Sequence, residues 1–188
     1  MGRVISIIGK SGSLASALNE TLSVNNQVIC YGKNQVNMLD PESISNNINN
    51  IKDSNVIIVC SGSIDGSVRD MIDINAAGPI QLLTELYKAD SKAHVVMIGS
   101  HSNMWTSWPG VDIERLVYNI AKKTLSDFVT GLEHSDKSNM KLTIYHVSRF
   151  NSNMNSGGMP IQEVIDNISW IIDQKNPPLV IENGKSTR

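Results

Sequence analysis

The sequence predicts a three-layer α/β fold, in which a doubly wound parallel sheet of about six strands carries helices on both faces. Six short segments are β-rich and almost continuously apolar, which is typical of strands buried on both faces of a parallel sheet. Segments with helical spacing of apolar residues alternate with these strands, and such alternation favours right-handed crossovers. The 188 residues contain no repeat and no linker, so we expect one domain over residues 1–188.

Local patterns place the individual elements. The predicted strands are Val4–Ile8, Gln27–Tyr31, Val56–Cys60, His94–Ile98, Leu142–Val147 and Leu179–Ile181. Leu14, Leu18 and Leu22 share one helical face, and Asp40-Pro41 supplies an N-cap and a first-turn proline for a second helix. Further helices are expected over Val68–Lys88, Asp112–Leu132 and Ile161–Ile172.

Composition and charge exclude several classes of function. A net charge of −2 gives no broad surface for nucleic acid or anionic lipid, and no apolar run approaches a membrane span. Val4–Ile8 is too short for a secretory signal, so we expect a cytoplasmic protein that keeps Cys30 and Cys60 reduced. The four histidines have no metal-ligand spacing, and no metal site is predicted.

The turn after the first strand indicates a dinucleotide-binding, Rossmann-type fold. Gly9-Lys10-Ser11 is not a Walker A loop, because that motif needs a further glycine at the position of Val4. The pattern is instead Gly9-x-x-Gly12-x-x-Ala15 on a strand–turn–helix. Gly9 permits the tight turn, Gly12 lets the backbone approach a pyrophosphate, and Ala15 lets the helix pack closely on the strand.

The end of the second strand bears on the choice of cofactor. An acidic residue there would bind the ribose hydroxyls of NAD, but the segment CYGKN offers Lys33 and no carboxylate. A cation suits the 2′-phosphate of NADP, so we expect NADP, with NAD possible. A solvated loop lysine is the alternative and stays open.

The sequence resembles the short-chain dehydrogenase/reductase family over nearly its whole length, and the matching segments occur in the family's order. The segments that carry the resemblance are the glycine turn, NMLDPESI (37–44), IIVCSGS (57–63), DINAAGPIQLL (73–83), VVMIGSHS (95–102), Tyr118-x-x-x-Lys122 and VSRFNSNM (147–154). Agreement of several weak patterns in order is stronger than any one of them.

The resemblance implies four catalytic residues: Tyr118 as acid/base, Lys122, Ser100 as hydrogen-bond donor to the reacting oxygen, and Asn75 holding a water in a proton relay. Helical geometry places Tyr118 and Lys122 on one face. We expect the neighbouring ammonium, together with an oxidised nicotinamide, to lower the pKa of Tyr118.

The resemblance also implies the binding residues. The cofactor contacts expected are Gly9, Ser11, Gly12, Leu14, Lys33, Asn37, Met38, Cys60, Ser61, Gly62, Tyr118, Lys122, Phe150 and Ser152. The substrate contacts expected are Ser100, His101, Trp105 and Trp108. The tryptophan loop could instead be a dimer contact, and His101 could be an ordinary loop histidine.

The chain also departs from the family pattern. The helix that the family has after its second strand is absent and its third strand is missing or vestigial, so the sheet order is expected to be 2-1-3-4-5-6. The substrate region near residues 151–160 is reduced, which predicts a pocket that is open or closed by a partner subunit. Ser100 precedes Tyr118 by eighteen positions, more than is usual in the family.

Together these features predict an NADP(H)-dependent enzyme that transfers hydride between the nicotinamide and a small carbonyl or alcohol. Two alternatives stay open: a non-catalytic dinucleotide-binding protein with a redox-sensing or scaffold role, and an epimerase on the same fold. A homodimer or homotetramer is expected through the two long helices, because both are apolar enough to pair with a second copy.

Overall fold

The structure is a computed structural model that describes residues 2–101, 112–135, 138–148, 150, 158–182 and 185–187. The elements in chain order are β1 (Val4–Ile8), α1 (Ser13–Leu22), β2 (Gln27–Tyr31), α2 (Pro41–Ile51), β3 (Val56–Val59), α3 (Val68–Ile72), a π-helical turn (Asp73–Ala77), α4 (Gly78–Lys88), β4 (His94–Ile98), α5 (Ile113–Glu133), β5 (Lys141–His146), α6 (Ile161–Asp173), β6 (Val180–Glu182) and β7 (Lys185–Thr187).

A single sheet with the order β2-β1-β3-β4-β5-β6-β7 runs through these elements. The first six strands are parallel and follow the predicted order, so the predicted fold class is confirmed. The short strand β7 pairs antiparallel with β6 and was not predicted. Its sequence, Lys-Ser-Thr, has no apolar alternation, although the Asn-Gly pair that precedes it is the commonest signal for a tight hairpin.

Helices cover both faces of the sheet and bury a separate apolar cluster on each. On one face, α2, α4 and α5 pack their apolar sides against the sheet. On the other face, α1 and α6 do the same. Along β3, Ile57 and Val59 belong to the first cluster while Val56 and Ile58 belong to the second. Because successive strand residues face opposite layers, a strand covered on both sides must be apolar throughout.

The helix termini follow the sequence closely. The Asp40 carboxylate accepts hydrogen bonds from the amides of Glu42 and Ser43, which confirms it as the N-cap of α2. The long helix predicted over Val68–Lys88 is present, but the π-helical turn divides it into α3 and α4. Within the described ranges, no helix has the length and apolarity needed to cross a bilayer.

A buried histidine lies at the amino end of β4. His94 Nε2 is 3.0 Å from the Thr143 hydroxyl, which donates to the Pro178 carbonyl at 2.8 Å. Because the Thr143 hydroxyl donates its hydrogen to the Pro178 carbonyl, it accepts from Nε2–H of His94. Burial, and then the charges of Lys141 and Arg3, lower the pKa of His94 to about 4.

We therefore predict that His94 makes the fold less stable in mild acid. The folded pKa lies below the unfolded value, so the unfolded chain binds more protons between about pH 6.5 and 4 and stability falls as the pH falls through that window. Urea unfolding of the wild-type chain should lose about 2 kcal/mol more between pH 7 and pH 5 than the His94→Leu variant loses. Equal losses in the two chains would contradict the prediction.

Candidate active site

The candidate site lies at the carboxyl ends of the parallel strands. The chain moves from β1 to β2 on one side and then to β3 on the other, so the sheet has a switch point beside β1. Open α/β sheets form a crevice at such a point. Residues from the ends of β1, β3 and β4 and from the first half of α5 surround this crevice.

The turn between β1 and α1 depends on Gly9. Its φ is +104°, and a Cβ on it would lie 3.0 Å from the Ser61 amide nitrogen. Only glycine combines this backbone conformation with so close an approach to the end of β3. Gly12 is the N-cap of α1 and offers no side chain to the first-turn amides, which is the arrangement that lets a helix N-terminus bind an anion.

The other residues of this turn differ in what they can contribute. Ser11 and Gly12 are exposed, whereas Ala15 is fully buried against the sheet, as the motif requires. The Leu14 side chain belongs to the apolar cluster under α1 and α6. Leu14 can therefore contact a ligand only through its backbone.

Two lysines flank the end of β2. Lys33 is exposed in the turn that follows the strand. Lys10 is also exposed, and its Cβ lies 3.8 Å from the position a Gly32 Cβ would take. Lys10 was not among the predicted cofactor contacts, because it appeared in the sequence only as part of the rejected Walker A pattern. The signal available was its place immediately after Gly9, in the turn that faces the neighbouring strand end.

The segment after β2 is fixed by local hydrogen bonds and one close contact. The Asn37 side-chain oxygen accepts from the Leu39 amide at 3.1 Å, and the Asn37 amide donates to the Ser43 hydroxyl at 3.1 Å. Met38 is buried, and a Cβ on Gly78 would lie 2.3 Å from the Met38 carbonyl oxygen. The glycine at the start of α4 therefore lets the helix seat this segment beside the crevice.

The end of β3 leaves a buried hydroxyl and a bare backbone. The Ser61 hydroxyl is buried and has no hydrogen-bond partner among the described residues. A Cβ on Gly62 would lie 3.1 Å from Asn75 Oδ1 and 3.3 Å from Lys122 Nζ. Burial raises the pKa of the Cys60 thiol to about 12, so this cysteine is an unreactive thiol at neutral pH.

Asn75 fastens the end of β3 to the broken helix. Its side chain is fully buried, and Nδ2 donates to the carbonyls of Ser63 at 2.6 Å and Met71 at 2.8 Å. Oδ1 accepts from the Ser63 amide at 3.2 Å. The Met71 carbonyl is the one that the Asn75 amide would use in a regular α-helix, so the side-chain bond coincides with the π-helical turn.

The predicted catalytic residues of α5 and β4 meet above this point. The hydroxyls of Tyr118 and Ser100 are hydrogen-bonded to each other. Lys122 is almost completely buried, its ammonium donates to the Ile98 carbonyl at 3.0 Å, and it lies 5.9 Å from the centre of the Tyr118 ring. Ser100, Tyr118, Lys122 and the Asn75 amide thus surround the same end of the crevice.

The protonation states differ from the expectation drawn from the sequence. The pKa of Tyr118 is raised by burial, against smaller lowering effects of the Ser100 hydrogen bond and the Arg115 charge. The expected lowering by Lys122 is therefore wrong for the net direction. Burial also lowers the pKa of Lys122, to about 8, and its ammonium is directed at the Ile98 carbonyl.

The remaining predicted contacts are only partly described. Phe150 forms a parallel bridge with Met159 and packs against the cluster under α1 and α6. The His101 amide donates to the Val147 carbonyl at 3.0 Å, which continues the pairing of β4 with β5. Trp105, Trp108 and Ser152 lie outside the described residues.

Comparison with known proteins adds evidence on the fold. The chain matches no protein-family model, and no curated protein matches it. Among solved structures, the lin1944 protein of Listeria innocua superposes with a TM-score of 0.78 at 16% identity, covering 96% of this chain and 99% of the other. A short-chain dehydrogenase from Burkholderia cenocepacia, in complex with NADP, has a TM-score of 0.80 at 12% identity and covers 98% and 89%.

A sugar-nucleotide reductase is also similar. The dTDP-4-dehydrorhamnose reductase of Bacillus anthracis, in complex with NADP, has a TM-score of 0.75 at 15% identity over 100% of this chain and 76% of the other. At such identities the likeness concerns the fold. The chain therefore has the fold of short-chain dehydrogenases/reductases, as its motifs predicted.

The burial of Lys122 yields a prediction about stability. Its folded pKa lies below the unfolded value, so the unfolded chain binds more protons between about pH 8 and 10.5, and the stability deficit is full below pH 8. Lys122→Met should raise the free energy of unfolding by about 1–3 kcal/mol at pH 7, and by much less at pH 9.5.

The control is the next residue. Lys123 is exposed and pairs with Asp127, so Lys123→Met should change the unfolding free energy by no more than about 0.5 kcal/mol at either pH. Urea titrations at the two pH values measure both effects. A Lys122→Met chain that is less stable than wild type at pH 7 would overturn the prediction.

Proposed function

We propose that this protein is an NADP(H)-dependent reductase of the short-chain dehydrogenase type, which transfers hydride between the nicotinamide and a small carbonyl or alcohol. The observation that carries the proposal is the hydrogen bond between the Tyr118 and Ser100 hydroxyls beside the buried Lys122 ammonium. Two proteins of the same fold in complex with NADP support the choice of cofactor class.

The crevice fits a dinucleotide. The backbone amides of Ser11 and Leu14 would donate to a pyrophosphate at the start of α1. Gly12, whose own amide donates to the Gly9 carbonyl at 2.9 Å, would let the pyrophosphate approach the backbone. The unpartnered Ser61 hydroxyl and the bare backbone of Gly62 leave a hydrogen-bonding group and space at the end of β3.

Other residues complete the binding site. Asn37 and Met38 would border the adenine, Gly9 and Cys60 the crevice floor, and Phe150 and Ser152 the nicotinamide end. The Lys122 ammonium would hold the ribose hydroxyls with the donors that the Ile98 carbonyl does not use. The cofactor itself supplies the hydride when bound.

Tyr118 would supply the proton. Burial raises its pKa, so Tyr118 is a phenol at neutral pH and carries a proton that it would give to a carbonyl oxygen. The Ser100 hydroxyl would donate to the same oxygen and stabilise its developing negative charge. The Lys122 ammonium would then stabilise the phenolate left on Tyr118. In the reverse direction the Tyr118 phenolate would take the proton back from an alcohol.

Asn75 would act mainly by holding the site together. Its amide is bonded to Ser63 and Met71, and its oxygen lies under Gly62 beside Lys122. A water relay through Asn75 stays a prediction. His101, Trp105 and Trp108 would contact a small-molecule substrate.

We further propose that two copies pair through the long helices. Val68 and Ile72 on α3 and Ile113 and Ile120 on α5 are large apolar side chains that stay exposed in the single chain. Helices α3 and α5 are neighbours, so these side chains can share one surface.

Replacing Tyr118 tests the chemistry. Tyr118→Phe removes the proton donor and keeps the ring, so kcat with NADPH and a panel of aldehydes and ketones should fall about 100-fold or more. The Kd for NADPH should stay within about twofold, because the phenol contributes to the proton transfer and not to pyrophosphate binding.

Tyr87→Phe is the matched control. Tyr87 lies near the end of α4 and packs against the apolar cluster of that face, away from the crevice, so the substitution should leave kcat unchanged. A fully active Tyr118→Phe chain would refute the proposal. NADPH binding without turnover by the wild-type chain would favour a non-catalytic binding protein, and a changed product without net cofactor oxidation would favour an epimerase.

The two lysines beside β2 give a second test. If Lys10 and Lys33 face the 2′-phosphate, the double variant Lys10→Ala/Lys33→Ala should bind NADPH about tenfold more weakly or worse, with little change for NADH. Lys92→Ala is the control, because Lys92 is exposed just before β4, at the opposite edge of the sheet. Equal loss for both dinucleotides would show that the lysines do not read the phosphate.

A further inference from the structure

A second buried histidine lies directly beneath the candidate site. His146 is the last residue of β5 and is 3% exposed. Its Nε2 is 3.2 Å from the hydroxyl of Ser126, which follows Lys122 by one helical turn on α5. The side chain therefore fills the space between β5 and the helix that carries the candidate proton donor.

The imidazole also bonds to the backbone of Ser100. That hydrogen bond favours the protonated form of His146, so the imidazole is the donor and the Ser100 carbonyl the acceptor. Because Nε2 already faces Ser126, Nδ1 carries this donor hydrogen, and Nε2 accepts from the Ser126 hydroxyl. Both nitrogens of the neutral ring are thus engaged.

Gly99 shows how closely the imidazole fits. A Cβ on Gly99 would lie 2.6 Å from His146 Nδ1 and 3.1 Å from Cε1. The imidazole therefore occupies the volume that a side chain at position 99 would need. The strand pairing continues on both sides of Ser100, since Gly99 donates to Tyr145 at 2.8 Å and His101 donates to Val147 at 3.0 Å.

We propose that His146 is a positioning residue, which holds the Gly99–Ser100 backbone so that the Ser100 hydroxyl reaches the Tyr118 hydroxyl. The contact chain runs from Ser126 through the imidazole to the Ser100 backbone, and from the Ser100 hydroxyl to Tyr118. The effect on catalysis rests on the proposed function. The effect on the Tyr118 hydrogen bond does not.

The charges around His146 agree with a neutral donor. Burial, together with the charges of His101 and Lys122, lowers its pKa, while Glu182 on β6 and the Ser100 bond raise it, and the net direction is down. His146 therefore keeps one hydrogen at neutral pH. That hydrogen is the one directed at Ser100.

Three substitutions separate the hydrogen bond from the volume. His146→Asn places an amide near the Nδ1 position and can keep the bond to Ser100. His146→Gln places its amide near Nε2 and loses that bond, and His146→Leu keeps bulk without any donor. His94→Leu is the matched control, because His94 is also buried and paired with a hydroxyl but lies at the opposite end of the sheet.

The first measurement needs no turnover. The chain contains four tyrosines, and in protein labelled at the tyrosine Cζ the Tyr118 carbon resonance is the one that disappears in Tyr118→Phe. Ser100→Ala gives the shift of that resonance when the hydrogen bond is lost. His146→Leu and His146→Gln should shift it in the same direction, whereas His146→Asn and His94→Leu should leave it in place.

The second measurement is a kinetic cycle. His146→Leu and His146→Gln should lower kcat about tenfold with KM and the Kd for NADPH within about twofold, and His146→Asn should retain most of the activity. In a Ser100→Ala background, His146→Leu should cost no more than about twofold further, because both act through one hydroxyl.

The outcomes are distinct. An unshifted Tyr118 resonance in folded His146→Leu, or full additivity with Ser100→Ala, would overturn the proposal. So would a His146→Asn chain as impaired as His146→Leu. If the wild-type chain binds NADPH but turns over no substrate, the proposed function fails, while the resonance shift still decides whether His146 holds Ser100.

Discussion

The burial of one ammonium group is the constraint on which the rest of the site depends. Lys122 lies at the junction of β3, β4 and α5, and its described partner is a single carbonyl, that of Ile98. Removing an ammonium from water costs several kcal/mol unless charge or hydrogen bonds offset the loss. That cost of burial lowers the pKa of Lys122. An apolar side chain would be more stable at this position, so the buried cation agrees with the binding role proposed for Lys122.

The residues around Lys122 leave space for its ammonium group. Glycine at position 62 leaves room for two groups, because a Cβ there would lie 3.1 Å from the Asn75 oxygen and 3.3 Å from the Lys122 ammonium. The Asn75 side chain holds the loop that follows Gly62 through the backbone of Ser63. Its oxygen accepts from the Ser63 N–H, and its nitrogen donates to the Ser63 carbonyl. Asn75 Nδ2 also donates to the Met71 carbonyl, within the π-helical turn. The π-helical turn and the glycine at position 62 are therefore both linked to the Asn75 side chain.

The sequence predicts those features that depend on local pattern. Six strands were found because burial on both faces demands unbroken apolar runs, and α5 because its apolar residues have helical spacing. The polar strand β7 and the π-helical turn leave no mark in apolar periodicity. The role of His146 depends on which strands become neighbours, since in the sequence it is one polar residue ending a strand. The direction of the Tyr118 pKa was wrong for the same reason: the four-residue spacing shows that Lys122 is near but not how deeply the pair is buried.

The same burial bears on the part that Tyr118 would play in the proposed reaction. A tyrosine that must remove a proton from an alcohol needs a lowered pKa, whereas one that must give a proton to a carbonyl oxygen needs only to remain protonated. In the proposed reduction Tyr118 would be of the second kind, and its hydrogen bond to the Ser100 hydroxyl would orient the phenol. The Lys122 ammonium, 5.9 Å from the centre of the Tyr118 ring, would then stabilise the phenolate that remains after the proton has been transferred. In the proposed reaction, the burial that raises the pKa of Tyr118 would also strengthen the attraction between its phenolate and the Lys122 ammonium, because both charges would lie away from water.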